Sequence, residues 1–283
     1  MHVVTTRAEL DRARTELLAD GQELSLVPTM GYLHEGHLSL VRAAQRDGGA
    51  VAVSIFVNPK QFGEGEDLAT YPRDLDRDLA LLRDAGVDLV WTPGDEDVYP
   101  PGSATSVEIH GVTEVLEGER RPGHFAGVAT VCTILFNVVR PHRAYFGQKD
   151  AQQTVVVRRF VRDLALPVDV RVEPIVREAD GLARSSRNVY LTPEQRSQAV
   201  VLSRAVRAVE QVWRDGGRDA DELRALVRDL VQREAPAGEL DYVSVADPDT
   251  LAELDTLPGT GALVSMVVRF GRTRLLDNTI LQP

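Results

Sequence analysis

One cysteine, Cys132, is all the 283-residue sequence has, so no disulfide can form within the chain and a cysteine-built metal site is disfavoured. Cys132 lies in the apolar stretch Val128–Val139 and reads as a small buried hydrophobe rather than a nucleophile. Long apolar runs are missing too. The longest, Ala126–Val139, is interrupted and falls short of the roughly 20 residues that span a bilayer. The opening segment MHVVTTRAELDRART lacks the apolar core of a secretory signal, which makes the cytoplasm the expected location. Nor is there a basic excess: 32 Lys and Arg stand against 43 Asp and Glu, a net charge of −11. That balance, without a basic face laced with aromatics, speaks against nucleic acid and anionic membrane as partners. It leaves a nucleotide open, because a few cations and backbone N–H groups suffice for one phosphate chain. Internal repeats and low-complexity tracts are absent.

What is present is alternation. Leu24–Thr29, Val51–Val57, Val87–Trp91 and Ala144–Phe146 read as short buried strands. Between and after them, Gly36–Arg46, Leu75–Ala85, Ala126–Val139 and Ala151–Leu164 carry helical periods. Leu75, Leu79 and Leu82 share one face, and Gly86 supplies a stop. Strands alternating with helices predict a parallel sheet covered on both faces. The last third changes character. Thr192-Pro193-Glu194-Gln195 is a capping box, and Ala199, Leu202, Val206, Val209 and Trp213 mark an apolar helical face. A helix at Asp221–Arg233 and strands at Asp241–Val245, Ala262–Phe270 and Thr273–Leu276 predict a small α+β domain. The polar stretch Arg177–Asn188 reads as the hinge, giving domains 1–176 and 177–283.

Five segments carry chemistry. Pro28–His37 runs from a strand end through Gly31 into a helix start, where free N–H groups favour an anion and His34 and His37 can donate to phosphate. Gly36 permits close approach of a ring. Surface histidines or half a metal site are the competing readings, but further ligands at suitable spacing are lacking. Phe56–Gly63 follows the second strand, and Asn58 and Gln61 offer amides to hydroxyl and carboxylate groups; an Asn-Pro turn is the structural alternative. In Phe146–Gln153, Asp150 and Gln153 have capping-box spacing, whereas Lys149 before a helix N-terminus opposes the macrodipole unless a phosphate sits there. Asp180–Asn188 sets two serines between arginines, suited to a triphosphate and equally to a solvated linker. In Glu119–Phe125, Arg121 and His124 suit an anionic substrate or a charged surface turn. Among Asp74, Asp76 and Asp78, Asp78 is the candidate Mg²⁺ contact, although acidic residues at a helix start need no metal.

His34-Glu35-Gly36-His37, followed far downstream by Arg184-Ser185-Ser186-Arg187-Asn188, resembles the HIGH and KMSKS pair of the class I aminoacyl-tRNA synthetase and nucleotidyltransferase superfamily. VPTMGYLHEGHLSLV, SIFVNPKQFG, YPRDLDRDL, RPGHFAGVATV, YFGQKDAQQ and VREADGLARSSRNVYL are similar to successive blocks of the pantothenate synthetase family, in order, from Val27 to Leu191. The resemblance implies a Rossmann-like domain with a smaller C-terminal α+β lid, in a homodimer. It implies condensation of pantoate with β-alanine at the expense of ATP and Mg²⁺, through a pantoyl-adenylate. A nucleotidyltransferase with another acceptor is the alternative. By resemblance, Met30, Gly31, Tyr32, Leu33, His34, Glu35, Gly36 and His37 bind ATP, with His37 the proton donor and His34 beside the phosphates. Gly147, Gln148, Lys149 and Asp150 form the second ATP segment, Val176 touches adenine, and Arg184, Ser185, Ser186 and Arg187 form a mobile phosphate loop. Gln61 and Gln153 hold pantoate. Arg184 and Lys60 depart from the family pattern, standing where Met and an uncharged residue are usual.

Overall fold

The computed structural model describes residues 1–282. Two compact units make up the chain: Met1–Gly147 with Val156–Pro174, and Gln148–Val155 with the chain from Ile175 onward. In order, the strands and α-helices are β1 (His2–Val4), α1 (Arg7–Leu17), β2 (Leu24–Thr29), α2 (Glu35–Arg46), β3 (Ala50–Ile55), α3 (Leu75–Asp84), β4 (Leu89–Trp91), α4 (Asp95–Val98), α5 (Glu117–Arg120), α6 (His124–Val139), β5 (Arg143–Gly147), α7 (Ala151–Asp163), β6 (Asp169–Glu173), α8 (Pro193–Gln198), α9 (Val201–Arg214), α10 (Ala220–Glu234), β7 (Glu239–Ala246), β8 (Ala262–Phe270) and β9 (Thr273–Leu281).

The first unit is built on a six-stranded parallel sheet of order β1-β4-β3-β2-β5-β6. From β2 the chain winds outward through β3 and β4, and it then crosses to the other side for β5 and β6. The order therefore reverses between β2 and β5, the place where open sheets of this kind bind ligands. The β2–β5 ladder stops at Leu26↔Ala144, before Pro28, which has no N–H to pair. Beyond that point β2 and β5 are no longer paired with each other. Val27, Val51, Val53 and Val90 bury against Leu40, Val41 and Ala44 of α2 and Leu82 of α3, so the sheet is covered where α2 leaves it. Cys132 is buried in α6, and burial pushes its thiol up to about 12, leaving it unreactive.

Strands β1 and β6, helix α1 and the short helices α4 and α5 of this unit go beyond the sequence reading. β1 and β6 are the sheet edges, where Asp169-Val170-Arg171-Val172-Glu173 alternates polar and apolar residues instead of running apolar. Helix α1 begins in a capping box: Thr6 Oγ1 accepts from the Glu9 N–H at 3.2 Å, and Glu9 accepts from the Thr6 N–H at 3.0 Å. The Thr6-x-x-Glu9 spacing was there to be read.

The second unit is a three-stranded antiparallel sheet, β7-β8-β9. Val264, Met266 and Val268 of β8 bury against Leu202, Val206 and Val209 of α9 and Leu223 and Val227 of α10. The predicted apolar face of α9 is the buried one. Strand β9 runs to Leu281, past the predicted end at Leu276, because the polar triplet Asp277-Asn278-Thr279 stays in the ladder with β8.

Candidate active site

The turn from β2 into α2 is locked from below. Gly31 and Tyr32 both take the left-handed region, at φ 80° and 49°. The amides of Tyr32 and Leu33 then point at Asp78, whose two carboxylate oxygens each accept one at 2.7 Å. The guanidinium of Arg77, the residue before it, donates to the Leu33 carbonyl at 3.0 Å and stacks 5.2 Å from the Tyr32 ring centroid. Burial raises the Asp78 carboxyl above its ordinary value; the two amides and Arg77 pull the other way. Asp78, the candidate metal contact, is 1% exposed and spends both oxygens on backbone N–H groups. Among the described residues, no group of three or more His, Cys, Asp or Glu is placed to hold a metal ion.

The helix then starts on a histidine pair. His34 is the N-cap of α2, and its Nδ1 accepts from the Gly36 N–H at 3.1 Å. His37 Nδ1 accepts from the His34 N–H at 3.2 Å, closing a reciprocal cap normally made by Ser or Thr with Glu or Gln. The rings lie 4.1 Å apart, centroid to centroid. A backbone N–H can only donate, so each Nδ1 is an unprotonated acceptor and each neutral imidazole carries its hydrogen on Nε2. The cap thus fixes both tautomers and arms two N–H donors at a helix N-terminus, where the dipole already favours an anion. Gly36 serves this pair directly: a Cβ there would lie 2.9 Å from His34 Cε1.

A second, amide-bearing cluster follows β3. Asn58 caps the 3-10 turn Pro59–Gln61 and is 1% exposed. Its Oδ1 accepts from the Lys60 N–H at 3.3 Å and from the Tyr99 hydroxyl at 2.7 Å. Its Nδ2 donates to the Gly127 carbonyl and to Gln61 Oε1, both at 3.1 Å. The backbone partners orient the Asn58 amide, and Asn58 in turn orients Gln61, whose Nε2 faces the Met30 sulfur at 3.0 Å. Asn58 therefore sets Gln61 in place and spends its own amide doing so. The Lys60 ammonium sits 4.2 Å from the Tyr99 ring centroid.

Arg121 and His124 support the same turn. Arg121 grips Glu66 through both carboxylate oxygens at 2.7 Å, holding that carboxyl below its usual range against the effect of burial. His124 Nδ1–H donates to the Gln61 carbonyl at 2.8 Å, so its Nε2 is the acceptor for Arg121 Nη1–H at 3.1 Å. Burial, then the neighbouring Arg121 charge, lowers the His124 pKa to about 4 from its ordinary 6.5. The unfolded chain takes up this proton near 6.5 and the folded protein only near 4, so stability is full above that window and is lost as pH falls through it. His124→Gln is expected to flatten that part of the curve. Urea midpoints of both proteins on acidification read it, and parallel curves would refute the assignment.

In the second unit, Gln148–Asp150 form a 3-10 turn ahead of α7, and the Lys149 ammonium pairs with Asp150 at 3.2 Å. Gln153 lies in the first turn of α7, half-buried. Arg177–Ala183 is a small hairpin closed by one bridge, and beyond it the Arg184 N–H donates to the Val176 carbonyl at 2.9 Å. Ser185 Oγ caps the 3-10 turn Ser186–Tyr190 through the Arg187 N–H at 3.2 Å. Arg184 Nε is buried without a hydrogen-bond partner. The polar stretch Arg177–Asn188 thus carries defined local structure. Each unit gathers its own candidates: Met30–His37 with Asn58, Gln61, Asp78, Arg121 and His124 in the first, and Gln148–Asp150, Gln153, Val176 and Arg184–Arg187 in the second. Gly147 closes β5 in the first, at the switch point.

Sequence reasoning passed over Tyr99, Gly127, Arg177, Asp277 and Asn278, which position these groups. Only glycine at 127 left a trace, as a small residue inside an apolar helix.

Residues 2–280 match the sequence profile of pantoate–β-alanine ligase. A pantothenate synthetase of Herpetosiphon aurantiacus is 56% identical over 281 residues, covering 99% of this chain and 100% of that protein. Among solved structures, pantothenate synthetase from Thermus thermophilus superposes with a TM-score of 0.94 at 49% identity, covering all of both chains. The pantoate–β-alanine ligase of Francisella tularensis, complexed with β,γ ATP and β-alanine, gives a TM-score of 0.79 at 30% identity and covers 99% of this chain and 97% of that one. By profile, sequence and fold, the chain belongs to the pantoate–β-alanine ligase family.

Proposed function

We propose that the chain condenses pantoate with β-alanine at the expense of ATP, in two steps. A pantoate carboxylate oxygen attacks the α-phosphorus and pyrophosphate leaves. The β-alanine amine then attacks the acyl carbon of the adenylate, losing a proton as AMP departs with the former carboxylate oxygen. The observation that carries this reading is the histidine pair with both Nδ1 atoms committed to backbone N–H groups. It supplies two Nε2–H donors at an anion-favouring helix start without relying on a mobile side chain. His37 acts as donor to the departing pyrophosphate and His34 steadies the phosphates beside it. In the second unit, Lys149, Ser185, Ser186 and Arg187 are phosphate ligands, Arg184 adds a cation to them, and the Val176 backbone meets adenine. Gln61 and Gln153 hold pantoate, Gln61 through the Nε2 donor that Asn58 orients. The second unit acts as the lid that shields the adenylate from water.

Mg²⁺ enters bound to ATP, held mainly by phosphate oxygens. Asp78 is 1% exposed and each of its oxygens already accepts a backbone N–H, which favours a structural role for it over a metal contact. Asp78→Asn sets an amide N–H against one of two backbone N–H groups, and is expected to cost about 1–3 kcal/mol of stability. The Mg²⁺ concentration for half-maximal activity should stay put; an increase of tenfold or so would restore Asp78 as a metal ligand. The homodimer and the cytoplasmic location belong to the same reading. No helix among the described residues is long and apolar enough to cross a membrane.

The test is pantoate-dependent exchange of labelled pyrophosphate into ATP, first without and then with β-alanine. Exchange without the amine, and free AMP plus an amide with it, is the expected result. AMP retained on the product would establish a nucleotidyltransferase instead. Exchange indifferent to pantoate would overturn the acceptor.

A further inference from the structure

Strand β9 carries two consecutive buried polar residues, Asp277 and Asn278, 1% and 2% exposed. Such a pair is costly in a strand unless every group is bonded. Successive side chains point to opposite faces, so the two diverge. On one face, Asn278 Nδ2 donates to the carbonyls of Gln148 at 3.1 Å and Lys149 at 2.8 Å, while its Oδ1 accepts from Gln148 Nε2 at 3.0 Å. Carbonyls only accept, so the amide fits in one orientation. On the other face, the Asp277 oxygens accept from Arg177 at 2.6 and 2.9 Å, and Arg177 Nη1 also donates to the Gly181 carbonyl at 3.1 Å. Arg177 and Gly181 belong to the hairpin that leads into Arg184–Arg187. Strand β9 is itself paired with β8 from Thr273 to Leu281.

We propose that Asn278 is a positioning residue for Lys149, and that with Asp277 it makes β9 the rigid mount for both phosphate-facing loops of this unit. Both loops hang from adjacent residues of one strand, although they are far apart in sequence. Loss of the Asn278 amide frees the Lys149 backbone while leaving the ammonium in the chain. A misplacement of about 1 Å costs on the order of 10²-fold in rate. The inference rests on the functional reading above for what Lys149 binds.

Pyrophosphate exchange with ATP as the varied substrate tests it. Asn278→Ala should lower kcat/KM for ATP by on the order of 10²-fold, mostly through KM, with KM for pantoate nearly unchanged. Asn278→Ser, which keeps one donor, should recover part of the loss. In a Lys149→Ala background, Asn278→Ala should add less than about threefold, because the two act as one unit. A purely structural role would instead lower Tm, leave kcat/KM for ATP within about threefold, and persist undiminished beside Lys149→Ala; either result overturns the proposal. If Asn278→Ala fails to fold, Asn278→Ser carries the same criteria. If the unmodified protein shows no exchange, the functional reading fails. The mount is then judged by calorimetric titration with ATP, in which unweakened binding by the Asn278 variants overturns it.

Discussion

His37→Asn is expected to lower pantoate-dependent pyrophosphate exchange by about 10²–10³-fold, the usual cost of one donor to developing transition-state charge, while the fold survives. The substitution separates two jobs that one ring performs. The Asn Oδ1 lies where imidazole Nδ1 lies, two bonds from Cβ, so it can still accept the His34 N–H and keep the α2 cap closed. Nothing replaces Nε2–H, which sits farther out. His37→Ala loses both, and should show the same fall in rate together with about 1 kcal/mol of lost stability from the missing cap. Rates are read from exchange kinetics and stability from urea midpoints. An Asn variant that turns over near the wild-type rate would remove His37 from the chemistry, and equal stability of the two variants would remove it from the cap.

That dual role explains what could and could not be read in the sequence. A strand end, a glycine and two histidines at a helix start point to an anion site because backbone N–H groups and the dipole are set by the helix itself. The fixing of both tautomers was not legible, since it depends on ring rotamers that only the folded turn selects. Asp78 shows the opposite failure. An acidic residue in a helix's first turn has several uses, and its true partners, Tyr32 and Leu33, lie 46 and 45 positions away. Long-range side-chain-to-backbone bonds of this kind leave no periodicity. Asp277-Asn278 misleads for the same reason. By composition the dipeptide reads as the end of a strand, and only burial against Arg177 and the Gln148–Lys149 carbonyls keeps it inside one. The parallel sheet, by contrast, was legible because its central strands are mostly apolar and buried, with only isolated polar residues such as Ser25 and Ser54. Its polar-alternating edge β6 escaped for want of that signal.

Gly127→Ala should be among the most damaging single-methyl additions in the first unit. A Cβ at this position would lie 2.2 Å from the Lys60 carbonyl oxygen and 2.7 Å from Gln61 Cα. Both are backbone atoms, so no rotamer change relieves the clash, and α6 and the Pro59–Gln61 turn must separate. Overpacking of this kind costs about 1–3 kcal/mol. The functional consequence is larger than the stability loss, because the same contact holds the amide chain together: Asn58 Nδ2 bonds both the Gly127 carbonyl and Gln61 Oε1. Once α6 withdraws, Asn58 loses the partner that orients it and Gln61 loses its fixed Nε2. The KM for pantoate should therefore rise by about tenfold or more, the worth of a hydrogen bond of ~1.5 kcal/mol, while the KM for ATP moves little. Gly21→Ala is the control: φ is 75° there, and a Cβ would meet nothing within 4 Å. That change should cost only the backbone strain of about 1 kcal/mol and leave both KM values alone. If Gly127→Ala matched the control in Tm and in KM for pantoate, Gln61 would not depend on α6, and the close approach of that helix would not be what calls for a glycine.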